Sequence, residues 1–207
     1  GKYTFTQPGV KVTIDVTFVP EEWPFVDVAE SDWFFQAVKY VFERGIMVGT
    51  SDTTFEPQSS VTRGQVVQML YNLEGQPTVT GEDGFTDVQS KDWWYNAVVW
   101  ASQNEVVSGY GDGTFQPKRN ISRQEFAQML FNYAKFKGYD LTATGDLTKF
   151  PDGGDVAGWA ETAMQWANGN ELINGHADTG KLDPLGTTVR AQAASILTKF
   201  HQTFVNP

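Results

Sequence analysis

The chain has 207 residues, a formal net charge of −10 and no cysteine; 40% of its residues are hydrophobic, 14% aromatic and 19% charged. Such acidity argues against a nucleic-acid or anionic-membrane partner, which needs a basic face, and the missing cysteine excludes disulfides, thiolate zinc sites and cysteine nucleophiles. The apolar content suffices for one or two packed domains, and no stretch reaches the roughly 20 apolar residues of a membrane-spanning helix.

Residues 1–24 read as strand. Val10, Val12, Ile14, Val16 and Phe18 alternate with Lys11, Thr13, Asp15 and Thr17, the period of a strand with one buried face. Tyr3 and Phe5, ahead of Pro8-Gly9, supply the partner of a short N-terminal β hairpin. A lone hairpin is marginal in water, so this segment is expected to be the remnant of an upstream β domain or else to pack on the helical domain, with Glu21–Pro24 as the boundary.

From residue 25 the chain repeats itself, which sets the fold class. Phe25-Val-Asp27, Phe85-Thr-Asp87 and Phe150-Pro-Asp152 open three units, over 25–80, 85–140 and 150–205. Trp33, Trp93 and Trp159 follow, then Gly49, Gly109 and Gly175, then Arg63, Arg123 and Arg190. The interval from unit one to unit two is 60 residues at every marker. The wider spacing to unit three comes mainly from the Gly-, Thr- and Asp-rich linker at 138–149.

Each unit reads as helix, loop, helix, making residues 25–207 mainly α. The first helix carries Trp33, Ala37, Tyr40 and Val41, or Trp93, Ala97, Trp100 and Ala101, or Trp159, Ala163, Trp166 and Ala167, at helical spacing. It ends near Gly45, Asn104 or Asn170, which tolerate a left-handed C-cap. The loop holds Phe55-Glu-Pro57, Phe115-Gln-Pro117 or Leu182-Asp-Pro184, read as extended segments because a proline follows. Thr62 with Gln65 and Ser122 with Glu125 fit capping boxes for the second helix. Val189 cannot cap, so Thr188 is expected to do so one residue earlier. Val66, Met69, Leu70 and Leu73, Phe126, Met129, Leu130 and Tyr133, and Ala193, Ile196, Leu197 and Phe200 form its buried stripes.

These residues resemble the S-layer homology (SLH) family. Unit two carries the signature most fully: Phe85-Thr-Asp-Val88, Trp93, Gly109-Tyr-Gly-Asp-Gly-Thr-Phe-Gln-Pro117 and Ser122-Arg-Gln-Glu125. Unit one has Thr50-Ser-Asp-Thr-Thr-Phe55 in the loop; unit three has His176 for Tyr110 and Thr179-Gly-Lys-Leu182 for Gly-Thr-Phe. The resemblance implies a pseudo-threefold domain of helix–loop–helix repeats around a central three-helix bundle. It implies non-covalent anchoring at the surface of Gram-positive cells, through grooves that bind secondary cell-wall polysaccharide by a pyruvylated sugar terminus. Carried over residue by residue, the implied ligand contacts are Arg63, Arg123 and Arg190; Gly49, Gly109 and Gly175; Asp27, Asp87 and Asp152; and Trp33, Trp93 and Trp159. Surface-exposed domains upstream in the same chain are implied partners.

Elementary chemistry supports an anion site at each arginine. The first turn of a helix has unpartnered N–H groups and a favourable dipole, and a guanidinium forks onto a carboxylate. Each arginine has the alternative of pairing with a carboxylate such as Asp27, Asp87 or Asp152. The tryptophans serve either core or sugar face, and the aspartates either loop or ligand; Trp94 and Trp100 are further aromatic candidates. The net charge leaves open a wall glycan or peptidoglycan with a cationic decoration, and a lattice-forming protein interface is a third reading. No metal spacing, phosphate loop or cofactor motif is present, and no carboxylate pair stands out as catalytic. Unequal grooves are expected, with at most two competent, the one containing Arg123 foremost.

Overall fold

The computed structural model describes residues 23–82 and 84–206, so the expected hairpin lies outside the described residues. Six α-helices appear in the order anticipated: α1 (Phe35–Glu43), α2 (Arg63–Leu73), α3 (Tyr95–Gln103), α4 (Arg123–Lys137), α5 (Glu161–Gly169) and α6 (Arg190–Phe200). None is long and apolar enough to cross a membrane.

The second helices start where their caps dictate. Thr62 Oγ1 accepts from the Gln65 amide while Gln65 Oε1 accepts from the Thr62 amide, and Ser122 with Glu125 repeats the exchange. In unit three Val189 is the N-cap, and only Gln192 Oε1 reaches back, to the Val189 amide. Thr188 does not cap: its hydroxyl is buried without a hydrogen-bond partner among the described residues.

Each first helix packs not on its own second helix but on that of the preceding unit: α3 on α2, α5 on α4, and α1 on α6. The pairing closes a cycle. At its centre three equivalent residues hydrogen-bond in a ring: Val61 N to Thr188 O (2.8 Å), Thr188 N to Ile121 O (3.3 Å) and Ile121 N to Val61 O (2.9 Å). Their side chains are fully buried. Farther along, α2 touches α4, and Tyr133 of α4 donates to Glu74 and packs on Phe200 of α6. The buried stripes of α2, α4 and α6 all enter one core, with Leu73 alone at its edge.

Three local expectations are corrected. Trp33, Trp93 and Trp159 precede their helices and stand exposed (68, 59 and 59%), outside the core stripe. The left-handed residues after the first helices are Gly45, Glu105 and Glu171; Asn104 and Asn170 instead cap with their side chains, donating to Trp100 O and Trp166 O. The pre-proline residues Glu56, Gln116 and Asp183 are not extended but left-handed, with φ of 54, 58 and 52°. A proline normally pushes its predecessor out of such conformations, so another interaction must hold them.

Candidate functional site

That interaction is the aspartate opening each unit. Asp27 accepts from the Phe55 and Glu56 amides at 2.8 and 2.7 Å. Asp87 does the same for Phe115 and Gln116, and Asp152 for Leu182 and Asp183. Both oxygens of each carboxylate are thereby committed to backbone. Of the two roles open to these aspartates, the loop-holding one is the one observed.

The bent loops aim their carbonyls at the arginine of the preceding unit. Arg63 Nε donates to Phe115 O and Nη2 to Ser108 O (3.0 and 3.2 Å). Arg123 reaches Leu182 O and Asn174 O (2.8 and 2.6 Å), and Arg190 reaches Phe55 O and Val48 O (both 2.6 Å). All three residues are 5–6% exposed. Burial pushes each guanidinium down from its ordinary value, although arginine stays cationic. The arginines are first of all joints between units, made to carbonyls rather than to aspartates.

The helix N-termini are joints as well, which corrects the anion-site expectation. The Arg63 and Gly64 amides donate to Arg119 O and Pro117 O, the Arg123 and Gln124 amides to Gly186 O and Pro184 O, and the Arg190 and Ala191 amides to Ser59 O and Pro57 O. With the N3 amides of α2 and α4 taken by their caps, those first turns have nothing left for a ligand.

What remains open lies beside the arginines. A cavity of about 360 Å³ between units one and two is walled by Gly49, Thr50, Gln65, Gln68, Met69, Asn72, Trp93 and Arg190. A second, also of about 360 Å³, lies between units two and three, with Gly109, Tyr110, Glu125, Gln128, Met129, Asn132, Trp159 and Arg63. Each therefore draws on all three units: one supplies the loop and second helix, the next the tryptophan, and the remaining one the arginine. Arg123 and Gly175 line neither cavity, and no motif aspartate does. Trp33 lines a separate 440 Å³ depression with Tyr40, Ser195, Lys199 and Gln202.

The two cavities differ in charge. Arg190 Nη1 has no hydrogen bond among the described residues, and the first cavity has the uncharged Gln65 in its wall where the second has Glu125. In the second cavity Glu125 lies 3.5 Å from Arg63 Nη1 and also accepts from Tyr110 (3.0 Å) and Arg119. Burial alone would raise the Glu125 carboxyl; hydrogen bonds from Ser122, Tyr110 and Arg119 overcome it and hold the group below its ordinary value.

The motif glycines answer to packing. A Cβ on Gly109 would stand 2.4 Å from Phe85 Cε1 and 2.6 Å from Thr114 O, and one on Gly49 would stand 2.5 Å from Phe25 Cε1. The opening phenylalanine and the loop glycine are thus one contact. Trp94 and Trp100 are buried in the core, leaving Trp93 and Trp159 as the tryptophans of the two cavities. The sequence reading missed the Gln68–Asn72 and Gln128–Asn132 pairs. Their one signal was an i, i+4 amide pair beside the buried stripe in two units, replaced by Ser195 and Lys199 in the third.

Comparison with known proteins agrees with this geometry. The model of the S-layer homology domain matches residues 24–67 and 84–127. An endoglucanase of Bacillus sp. (strain KSM-635) is 31% identical over 84% of this chain and 18% of its own length. The surface-layer 125 kDa protein of Lysinibacillus sphaericus is 26% identical over 79% of this chain and 14% of its own. An S-layer protein of Bacillus thuringiensis subsp. finitimus is 28% identical over 87% and 21%. The chain thus spans about a fifth or less of the length of these relatives. The family model covers the opening, loop and arginine of units one and two, so residues 24–67 and 84–127 are S-layer homology repeats, and unit three repeats their joints bond for bond.

Proposed function

We propose that this protein is a non-covalent anchor whose two 360 Å³ grooves bind secondary cell-wall polysaccharide through an acidic, pyruvylated sugar terminus. The S-layer homology repeats carry the coarser part, a non-catalytic module at the cell surface and wall. The finer part rests on one observation: each groove is walled by both an exposed tryptophan and a buried cationic arginine. An exposed indole suits the apolar face of a sugar, and a guanidinium in a partly desolvated cleft attracts a carboxylate despite a net charge of −10. The endoglucanase and S-layer relatives are far longer than this chain, which fits an anchoring segment joined to separate surface domains.

Co-sedimentation with purified cell-wall sacculi tests the proposal. Trp93→Ala with Trp159→Ala is expected to abolish retention while leaving the fold intact, because both rings are exposed. Chemical removal of pyruvate from the sacculi is expected to do the same to the wild-type chain. Full retention in both cases overturns the reading.

A second reading is favoured by the net charge and by Glu125 in the second groove: a wall glycan or peptidoglycan with a cationic decoration. Binding that strengthens on removal of pyruvate, and weakens when decorating amines are acetylated, would select it.

A further inference from the structure

Gln68 and Gln128 take no part in the arginine joints, yet each lines one of the two grooves. Their orientation is set by a chain of hydrogen bonds that begins on the backbone. Ile46 O accepts from Asn72 Nδ2 at 3.2 Å, and Val106 O from Asn132 Nδ2 at 3.1 Å. A carbonyl only accepts, so each asparagine must turn its nitrogen toward it and its Oδ1 away. That Oδ1 accepts from Gln68 Nε2, or Gln128 Nε2, at 2.8 Å. Each glutamine nitrogen is thereby turned toward its asparagine, with one of its two N–H groups spent there, and each Oε1 is left as an acceptor without a hydrogen bond among the described residues. The third unit lacks the device: Ser195 Oγ donates to Ala191 O, and Lys199 pairs with Glu171.

We infer that Gln68 and Gln128 are specificity-determining residues of the two grooves. Each Oε1 reads one hydrogen-bond donor, a hydroxyl or an amide N–H, on the uncharged body of the bound sugar. The inference rests on the glycan-binding reading and adds a contact separate from any carboxylate at the arginine. An oriented, half-buried acceptor rejects a ligand that lacks the matching donor, because binding would then strip its water without replacement.

The test is titration calorimetry of Gln68→Leu with Gln128→Leu, using wall-polysaccharide fragments in native and de-N-acetylated form. Wild-type binding should weaken about three- to tenfold in the variant, the loss of one neutral hydrogen bond per groove. A loss that differs between the two fragments identifies the nitrogen substituent as the donor, since de-N-acetylation turns a neutral amide N–H into a charged amine; an equal loss on both identifies a hydroxyl; either supports the inference. Unchanged affinity for both fragments, with the wild type binding, overturns it and leaves the anchoring reading standing. Absence of wild-type binding overturns both. Against the risk that leucine disturbs the fold, Ser195→Gln with Lys199→Asn installs the pair in unit three. That variant should strengthen overall binding, and no gain in affinity or in site number counts against the inference.

Discussion

Arg190 Nε lies 2.6 Å from Phe55 O across 135 residues of chain, so the last unit is bonded to the first by a residue that also walls the groove between units one and two. Arg190→Ala therefore leaves two loop carbonyls, Phe55 O and Val48 O, without their donor. The expected cost is about 2–4 kcal/mol in urea denaturation, and Arg190→Lys recovers less than half of it because an ammonium lacks the planar fork. Loss of ligand binding in an arginine variant is to be read only beside its stability.

The central hydrogen-bond ring carries one misfit. Thr188 occupies the place of Val61 and Ile121 and is fully buried, with its hydroxyl unpartnered among the described residues. Thr188→Val removes that hydroxyl at nearly constant volume and is expected to stabilise the chain by about 1 kcal/mol, measured as a rise in melting temperature.

The left-handed loops depend on their aspartates. Asp87→Ala deprives the Phe115 and Gln116 amides of acceptors and is expected to cost about 2–3 kcal/mol. Gln116→Gly relieves the positive φ and is expected to be neutral or stabilising by up to about 1 kcal/mol. Opposite signs for these adjacent changes would establish that Asp87 holds strained backbone.

Acidification should act through Glu125. Its folded carboxyl lies below the ordinary value of 4.5, so it stabilises the fold above that pH and loses the contribution as pH falls through the folded value. Glu125→Gln should therefore be less stable than wild type at pH 7, with the gap closing as pH falls below 4.5 and through the folded value. Urea melts across that range check the sign.

The helical content and the capping boxes of units one and two were legible because they are local: hydrophobic spacing and S/T-x-x-E/Q carry them. The cyclic pairing was not. Nothing within Arg190 or Trp93 says that both wall a groove beside Gly49, because that depends on which unit follows which around the ring. The sequence favoured Arg123 by the completeness of its own motif. The groove beside an arginine, however, is built by the next unit, and Arg123 faces the weakest of the three, with Leu182 in place of a phenylalanine and Lys199 in place of an asparagine. The helix N-termini looked open because intrahelical partners are missing there by rule; backbone carbonyls of another unit, 53 to 134 residues away in sequence, fill them.

Titration of the intact chain with purified wall-polysaccharide fragments, followed in Trp33→Ala, Trp93→Ala and Trp159→Ala, tests the central claim most directly. Two sites in the wild type, one remaining after loss of Trp93 or of Trp159, and two after loss of Trp33 are the predicted results. Three equivalent sites, or a loss of binding on removal of Trp33 alone, would contradict it.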